Sequence, residues 1–123
     1  SIVYSQLQIS GDLGDSFIAL YAADEGIEKY LYEDRVDPAN FCQGTDLTTA
    51  PCSVDNSNAD FTNSNAFSGG CYYALLTKTE YSGEPTLANN TLQVTGQSTC
   101  GNGISRFVRR AFDLTYVGPA PAP

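Results

Sequence analysis

A single stretch of helical periodicity, followed by a Pro, most constrains how this chain can fold. At about 100° per residue, the large apolar side chains between residues 13 and 31 share one face of a helix; they are Leu13, Phe17, Leu20, Tyr21, Ile27 and Leu31. The ring of Pro38 disfavours helical angles at Asp37, so the helix is expected to end before that residue. The residues leave its start open, either near Ser5 or at Asp15.

The second half of the chain is typical of antiparallel sheet. Three segments rich in Tyr, Thr, Val, Leu and Phe are separated by turn residues; they are Cys71–Glu80, Thr91–Ser98 and Ile104–Val117. In the middle segment, Leu92 and Val94 alternate with polar residues, which predicts one apolar face covered by a helix and one face in water. The pattern therefore predicts an α+β domain in which an N-terminal amphipathic helix packs on a sheet of three to four antiparallel strands.

Two segments have no periodicity. Residues 37–70 are dominated by Gly, Asn, Ser, Thr, Asp and Pro, which predicts a long surface connection between helix and sheet. Residues 118–123 contain only Gly, Pro and Ala, so we expect a flexible tail after a single domain over residues 1–117. The acidic stretch 55–60 lacks the turn Gly of a calcium loop, and no metal or other cofactor is expected.

Four cysteines in a small chain favour an oxidising, extracellular compartment. A zinc site is disfavoured because there is no closely spaced Cys pair and no His. Four cysteines permit three pairings, and an assumed strand register chooses among them. If Glu80 lies opposite Thr91 in an antiparallel hairpin, Cys71 lies opposite Cys100, and Cys42–Cys52 closes the connecting loop.

The segment Phe17–Tyr32 (FIALYAADEGIEKYLY) resembles the N-terminal helix of minor pilins and pilus-assembly proteins of the type IV filament superfamily. The segment Ile104–Tyr116 (ISRFVRRAFDLTY) is similar to the last strand of such proteins. The resemblance implies a pilin-like domain with a long helix over about residues 5–35, a connecting loop over 37–70 and a sheet over 71–117.

The same resemblance implies that the chain is a structural subunit of an extracellular or cell-surface filament. It could serve as pilin, minor pilin or pseudopilin in adhesion, motility, uptake or secretion. Its partners would be other pilin-like subunits and, before assembly, the membrane. The family's apolar N-terminal helix of about 20 residues and its assembly glutamate have no match in residues 1–14, so we expect any membrane segment to have been removed or to lie upstream of Ser1.

Two features of the helix are candidate contact sites. Asp24 and Glu28 interrupt the apolar stripe, where a carboxylate must stay hydrated or find a donor, and Arg110 is the polar member of an otherwise apolar strand face. We predict that Arg110 meets one of these acids between helix and sheet; alternatively both acids are solvated or contact another subunit. The opposite helix face is smooth and small, which suits close helix-to-helix approach in a filament; it includes Ile18, Ala19, Ala22, Ala23 and Gly26.

Several function classes are disfavoured by composition. The net charge of −8 argues against nucleic-acid binding, which requires clustered Lys and Arg. Without His, neither a Ser-His-Asp nor a Cys-His arrangement can form, and no enzymatic activity is expected. The alternative function is a stand-alone secreted binding or adhesin module, with Tyr72, Tyr73, Tyr81 and the Asn-rich loop as its contact surface.

Overall fold

The chain folds as one long helix lying on one face of a four-stranded sheet. The computed structural model describes residues 2–56, 60–67, 69–103 and 106–123, and of residues 2–13 it describes the backbone alone. Helix α1 spans Ile2–Val36, a short 3-10 turn spans Pro38–Asn40, and the strands are β1 (Cys52–Asp55), β2 (Cys71–Glu80), β3 (Leu87–Gln97) and β4 (Arg109–Pro119). The expected α+β architecture is therefore present.

All neighbouring strands are antiparallel, and their order across the sheet is β1-β2-β3-β4. Helix α1 contacts β2, β3 and β4. The sheet face beneath the helix carries the apolar core, which includes Ala74, Leu76, Leu92 and Val94. Because β1 lies inside the segment predicted as loop, the sheet has one strand more than the three segments read from sequence.

The end of α1 lies where the sequence places it. Asp37 has extended backbone angles (φ −149°, ψ 114°), and its side chain accepts a hydrogen bond from the amide of Ala39. Pro38 then occupies the first position of the 3-10 turn, where its missing N–H costs nothing. The helix begins at Ile2, three residues before the expected start.

The face of α1 that meets the sheet is the small one, not the large apolar one. Ala19, Ala22 and Ala23 are completely buried, whereas the predicted core residues Phe17, Leu20 and Tyr21 are exposed. The predicted orientation of the helix is therefore wrong by about a third of a turn. Ile27 and Leu31 of the predicted face still pack against the core and are partly buried. The cause is close approach of two backbones. A Cβ added at Gly96 of β3 would overlap the carbonyl oxygen of Ala19 and lie 2.6 Å from the amide nitrogen of Ala23. Only small side chains fit at such a contact.

The predicted hairpin register is also wrong, by three residues. Glu80 pairs with Ala88 rather than Thr91, and Cys71 pairs with Gln97. The disulfide Cys71–Cys100 nevertheless forms, because the chain bends back after Gln97 and brings the two Cα atoms to 6.1 Å. Cys42–Cys52 is the second disulfide, with Cα atoms 6.2 Å apart. Both pairings agree with those predicted.

The C-terminal tail is held to the domain rather than free. The amide of Ala120 donates to the carbonyl of Thr86, and Ala122 accepts from the amide of Gly44 at 2.7 Å. β4 itself continues to Pro119. The tail predicted to be flexible therefore bridges the β2–β3 turn and the connecting segment.

Candidate functional site

The outward face of α1 is an exposed stripe of large side chains. Phe17, Leu20 and Tyr21 are 44%, 37% and 54% exposed, and the rings of Phe17 and Tyr21 stack with centroids 6.1 Å apart. Their spacing of three and four residues places them on one side of the helix. We call these three residues the aromatic stripe. Contiguous exposed apolar surface of this kind commonly marks a site of protein association.

Asp24 and Glu28 continue this outward face and are exposed. Arg110 does not pair with either acid; its guanidinium donates hydrogen bonds to the hydroxyl of Ser16, through Nε at 2.8 Å. Arg110 thus does link helix and sheet, with a partner that differs from the predicted one. The reason is the rotation of the helix relative to the predicted orientation, which leaves both acids exposed and places Ser16 within reach of Arg110.

The small residues proposed for helix-to-helix packing are already occupied. Ala19, Ala22 and Ala23 lie against the sheet, and a Cβ at Gly26 would come within 2.6 Å of the ring of Tyr72. This face is therefore filled by the chain's own core. Among the described side chains, the large apolar ones that α1 leaves exposed are those of Phe17, Leu20, Tyr21, Tyr32 and Val36.

A groove lies between the second half of α1 and the loop before β2. It encloses about 720 Å³ and is lined by Glu25, Glu28, Lys29, Leu31, Tyr32, Arg35, Asn65, Phe67 and Tyr72. The Phe67 side chain is fully exposed, and its amide donates to a Glu25 carboxylate oxygen at 2.8 Å. The walls therefore combine aromatic rings with both signs of charge. Of the tyrosines predicted to form a contact surface, Tyr72 is a buried core residue instead.

A buried polar cluster, which the sequence did not reveal, lies under the last turns of α1. Lys78, Asn90 and Tyr116 are paired across β2, β3 and β4 and form one row on the helix-facing side of the sheet. Asp34, in the last turns of α1, contacts two members of this row, Lys78 and Tyr116. Lys78 and Asp34 are 0% and 1% exposed, although Lys and Asp are almost never buried unless they are paired.

The cluster is held by short contacts. The Lys78 ammonium donates to Asp34 Oδ1 at 2.6 Å, to Asn90 Oδ1 at 3.1 Å and to the carbonyl of Pro119 at 3.0 Å. The Tyr116 hydroxyl donates to Asp34 Oδ2 at 2.9 Å. Within the described part of the chain, Asn90 Nδ2 is buried and has no hydrogen-bond partner.

The cluster also perturbs an ionisation. Burial, and then the neighbouring Asp34 carboxylate that accepts its hydrogen bond, raise the pKa of the Tyr116 hydroxyl well above its usual value. Tyr116 therefore stays neutral and acts as a donor to Asp34 at ordinary pH. Elsewhere in the core, burial raises the pKa of Tyr30 to about 12.

A sequence signal for the cluster did exist. Lys78 follows Tyr72, Ala74 and Leu76 at the period of two, so it belongs to the inward face of β2. Asp34 lies four residues after Tyr30 on the buried side of α1. The partner Asn90 could not be identified, because the predicted register places a different residue of β3 beside Lys78.

Comparison with protein-family models, curated proteins and solved structures finds no match. Among the described residues, no helix combines the length and apolarity needed to cross a bilayer. Within the same residues, no group of three or more Cys, Asp or Glu side chains is arranged to hold a metal ion.

Proposed function

We propose that this chain is a structural subunit of an extracellular filament of the type IV pilus kind, which acts by packing against other subunits rather than by turnover. The observation that carries the proposal is the aromatic stripe, formed by Phe17, Leu20 and Tyr21 on the outward face of α1. It coincides with the segment whose sequence resembles the pilin helix. In a filament, burial of this stripe against a neighbouring subunit would supply the association free energy.

The architecture supports this proposal in two further respects. A long helix lies against an antiparallel sheet, and the segment that connects them is braced by Cys42–Cys52. Disulfides suit a protein that works outside the cytoplasm. On this proposal, Asp24 and Glu28 border the subunit contact, where they select a partner with complementary charge.

The proposal is tested in the organism that encodes the chain. We would label the native cell surface with an antibody to this domain and image it by immunogold electron microscopy. Labelled filaments are expected. The codons upstream of Ser1 are read in the same experiment, because the resemblance implies an apolar helix that anchors the subunit in the membrane before assembly.

A pair of variants tests the surface itself. Phe17→Ser with Tyr21→Ser removes the exposed rings without touching the core, so the isolated domain should keep its melting temperature while labelled filaments disappear. Val117→Ser is the matched control, since Val117 is 50% exposed on β4 and lies away from α1. Normal filaments from the double variant would overturn the role of the stripe.

The second candidate function is a secreted binding module, and the groove beside Phe67 favours it. A fully exposed aromatic ring over a groove with mixed charges is suited to hold a ligand or peptide. This function predicts diffuse labelling and secreted monomers in the imaging experiment. Phe67→Ser would then abolish binding to the target surface, while the stripe variants would bind normally.

A further inference from the structure

The buried cluster beneath α1 brings together an amine, a carboxamide and a carboxylate. Lys78 and Asn90 are direct cross-strand partners on β2 and β3, and the Lys78 Nζ lies 3.1 Å from the side-chain oxygen of Asn90. The Asp34 carboxylate is 2.6 Å from the same nitrogen. A primary amine is a nucleophile when it is unprotonated, and a carboxamide carbon is an electrophile, so this arrangement has the components of an acyl transfer.

We propose that Lys78 and Asn90 are joined in the mature protein by an intramolecular amide bond between Nζ and the side-chain carbon Cγ. Asp34 is the proton carrier of the reaction. The proposal is independent of the proposed function, because it rests on the interior of the domain and not on its outer surface.

The reaction balances without any co-reactant. Lys78 first gives one proton to Asp34 Oδ1 along their contact, which leaves a neutral amine. The lone pair of Nζ attacks Cγ of Asn90 to form the new C–N bond, while Asp34 gives its proton to the departing nitrogen and takes the second Nζ proton in exchange. The bond from Cγ to Nδ2 breaks, and ammonia leaves. Nothing is oxidised or reduced, and Asp34 ends the reaction as a neutral carboxylic acid.

The surroundings favour this outcome. Exclusion of water keeps hydrolysis from competing with the amine, and it favours proton transfer that removes the two buried charges. Asn90 Nδ2 makes no hydrogen bond within the described residues, so no contact is lost when it departs as ammonia. It also lies against Gly118, where an added Cβ would collide with it.

The amine and the acid are both held in position. Besides its contacts to Asn90 and Asp34, Nζ donates to the carbonyl of Pro119 at 3.0 Å, which fixes the end of a long flexible side chain. The Tyr116 hydroxyl holds the other oxygen of Asp34 at 2.9 Å. Holding the amine and the carboxylate in position in this way lowers the entropic cost of reaching the transition state.

The bond would complete a covalent frame around the β2–β3 hairpin. Cys71–Cys100 ties the open end of the hairpin, and Lys78–Asn90 would tie the end near its turn. The two central strands under the helix would then be linked at both ends, and one of the links would be insensitive to reducing agents.

Intact mass measurement of the folded, disulfide-reduced protein is the first test. The expected mass is lower by one ammonia than the sequence requires. Trypsin should also fail to cleave after the acylated Lys78, so residues 36–106 should remain one fragment instead of separating into 36–78 and 79–106. Tandem mass spectrometry would locate the link between positions 78 and 90.

Two variants sharpen the test. Asn90→Ala removes the acyl group, and its mass should equal that of its sequence. Asn89→Ala is the matched control on the same strand, where the side chain is exposed, and it should retain the loss of ammonia. A full sequence mass for the folded wild-type protein with both disulfides formed would overturn the proposal. Loss of ammonia that maps to Asn102, which precedes Gly103 and can cyclise, would overturn it equally.

Discussion

Replacement of Gly96 by Ala tests the central packing relation of this domain, the direct contact between the backbones of α1 and β3. The added methyl would overlap the carbonyl oxygen of Ala19 and lie 2.6 Å from the amide nitrogen of Ala23, whereas ordinary contact begins at 3.4 Å. Both clashing groups are helix backbone, so no side-chain rotation relieves them. The helix must therefore lift from the sheet by about 0.8 Å or more, a gap that forfeits a quarter to a half of each dispersion contact.

The size of the expected stability loss depends on the contacts that this displacement of α1 weakens. Ala19, Ala22, Ala23 and Tyr30 are all buried between helix and sheet. Overpacking at such a site costs about 1 to 3 kcal/mol, and the loss of chain entropy in the unfolded state returns at most about 1 kcal/mol. We expect Gly96→Ala to lower the free energy of unfolding by about 2 kcal/mol, which corresponds to roughly 8 °C in melting temperature.

The assay is urea unfolding followed by far-ultraviolet circular dichroism, with both disulfides intact. Gly14→Ala is the matched control: it is the same substitution on the exposed side of α1, where a Cβ meets nothing within 4 Å. It should raise stability by up to about 1 kcal/mol through helix propensity. If Gly96→Ala were as stable as the wild type, the helix could not be seated on the sheet as described.

Three further outcomes are expected. Arg110→Ala should change the free energy of unfolding by less than about 1 kcal/mol, because Arg110 is exposed and its partner among the described residues is the Ser16 hydroxyl; a larger loss would indicate a buried acidic partner. Asp34→Ala should cost about 3 kcal/mol or more, because loss of the proton carrier prevents the Lys78–Asn90 bond and leaves the Lys78 ammonium buried without its carboxylate, and denaturation at the wild-type urea midpoint would refute this. Burial raises the pKa of Tyr30 to about 12, so its stabilising contribution is complete below about pH 10 and declines as the pH rises toward 12. Urea midpoints measured from pH 8 to 11 should fall for the wild type and fall less for Tyr30→Phe.

The sequence was sufficient for the helix, for three of the four strands and for the two disulfides, whereas β1 lies in the segment predicted as loop. Helical periodicity and Pro38 located α1 and its end, and alternation located the sheet. The pairing Cys71–Cys100 was predicted from a register that is wrong by three residues. The predicted pairing is nevertheless correct, because a disulfide requires only that the two ends of the hairpin lie close together. Ser98 and Thr99 form the bend that brings Cys100 back to Cys71.

The orientation of the helix and the site beneath it could not be predicted because they depend on contacts distant in sequence. Large apolar residues were assigned to the core by hydrophobicity alone, but Gly96, more than seventy residues later, sets how close the helix lies and admits only alanines. Similarly, the alternation in β2 places Lys78 on its inward face. Predicting its contacts with Asn90 and Asp34 would have required the correct strand register and the correct helix orientation.

The exposed aromatic stripe and the buried Lys78–Asp34 pair both follow from the close packing of α1 on the sheet. Because the alanine face of α1 is used inside the domain, Phe17 and Tyr21 are left exposed, as the proposed subunit contact requires. Because the same face carries Asp34 at its far end, a carboxylate pairs with Lys78, whose other partners are the neutral oxygens of Asn90 and Pro119. The proposed contact surface is on the exposed side of the helix and the interior cluster is on its buried side, so a variant of either can be measured without disturbing the other.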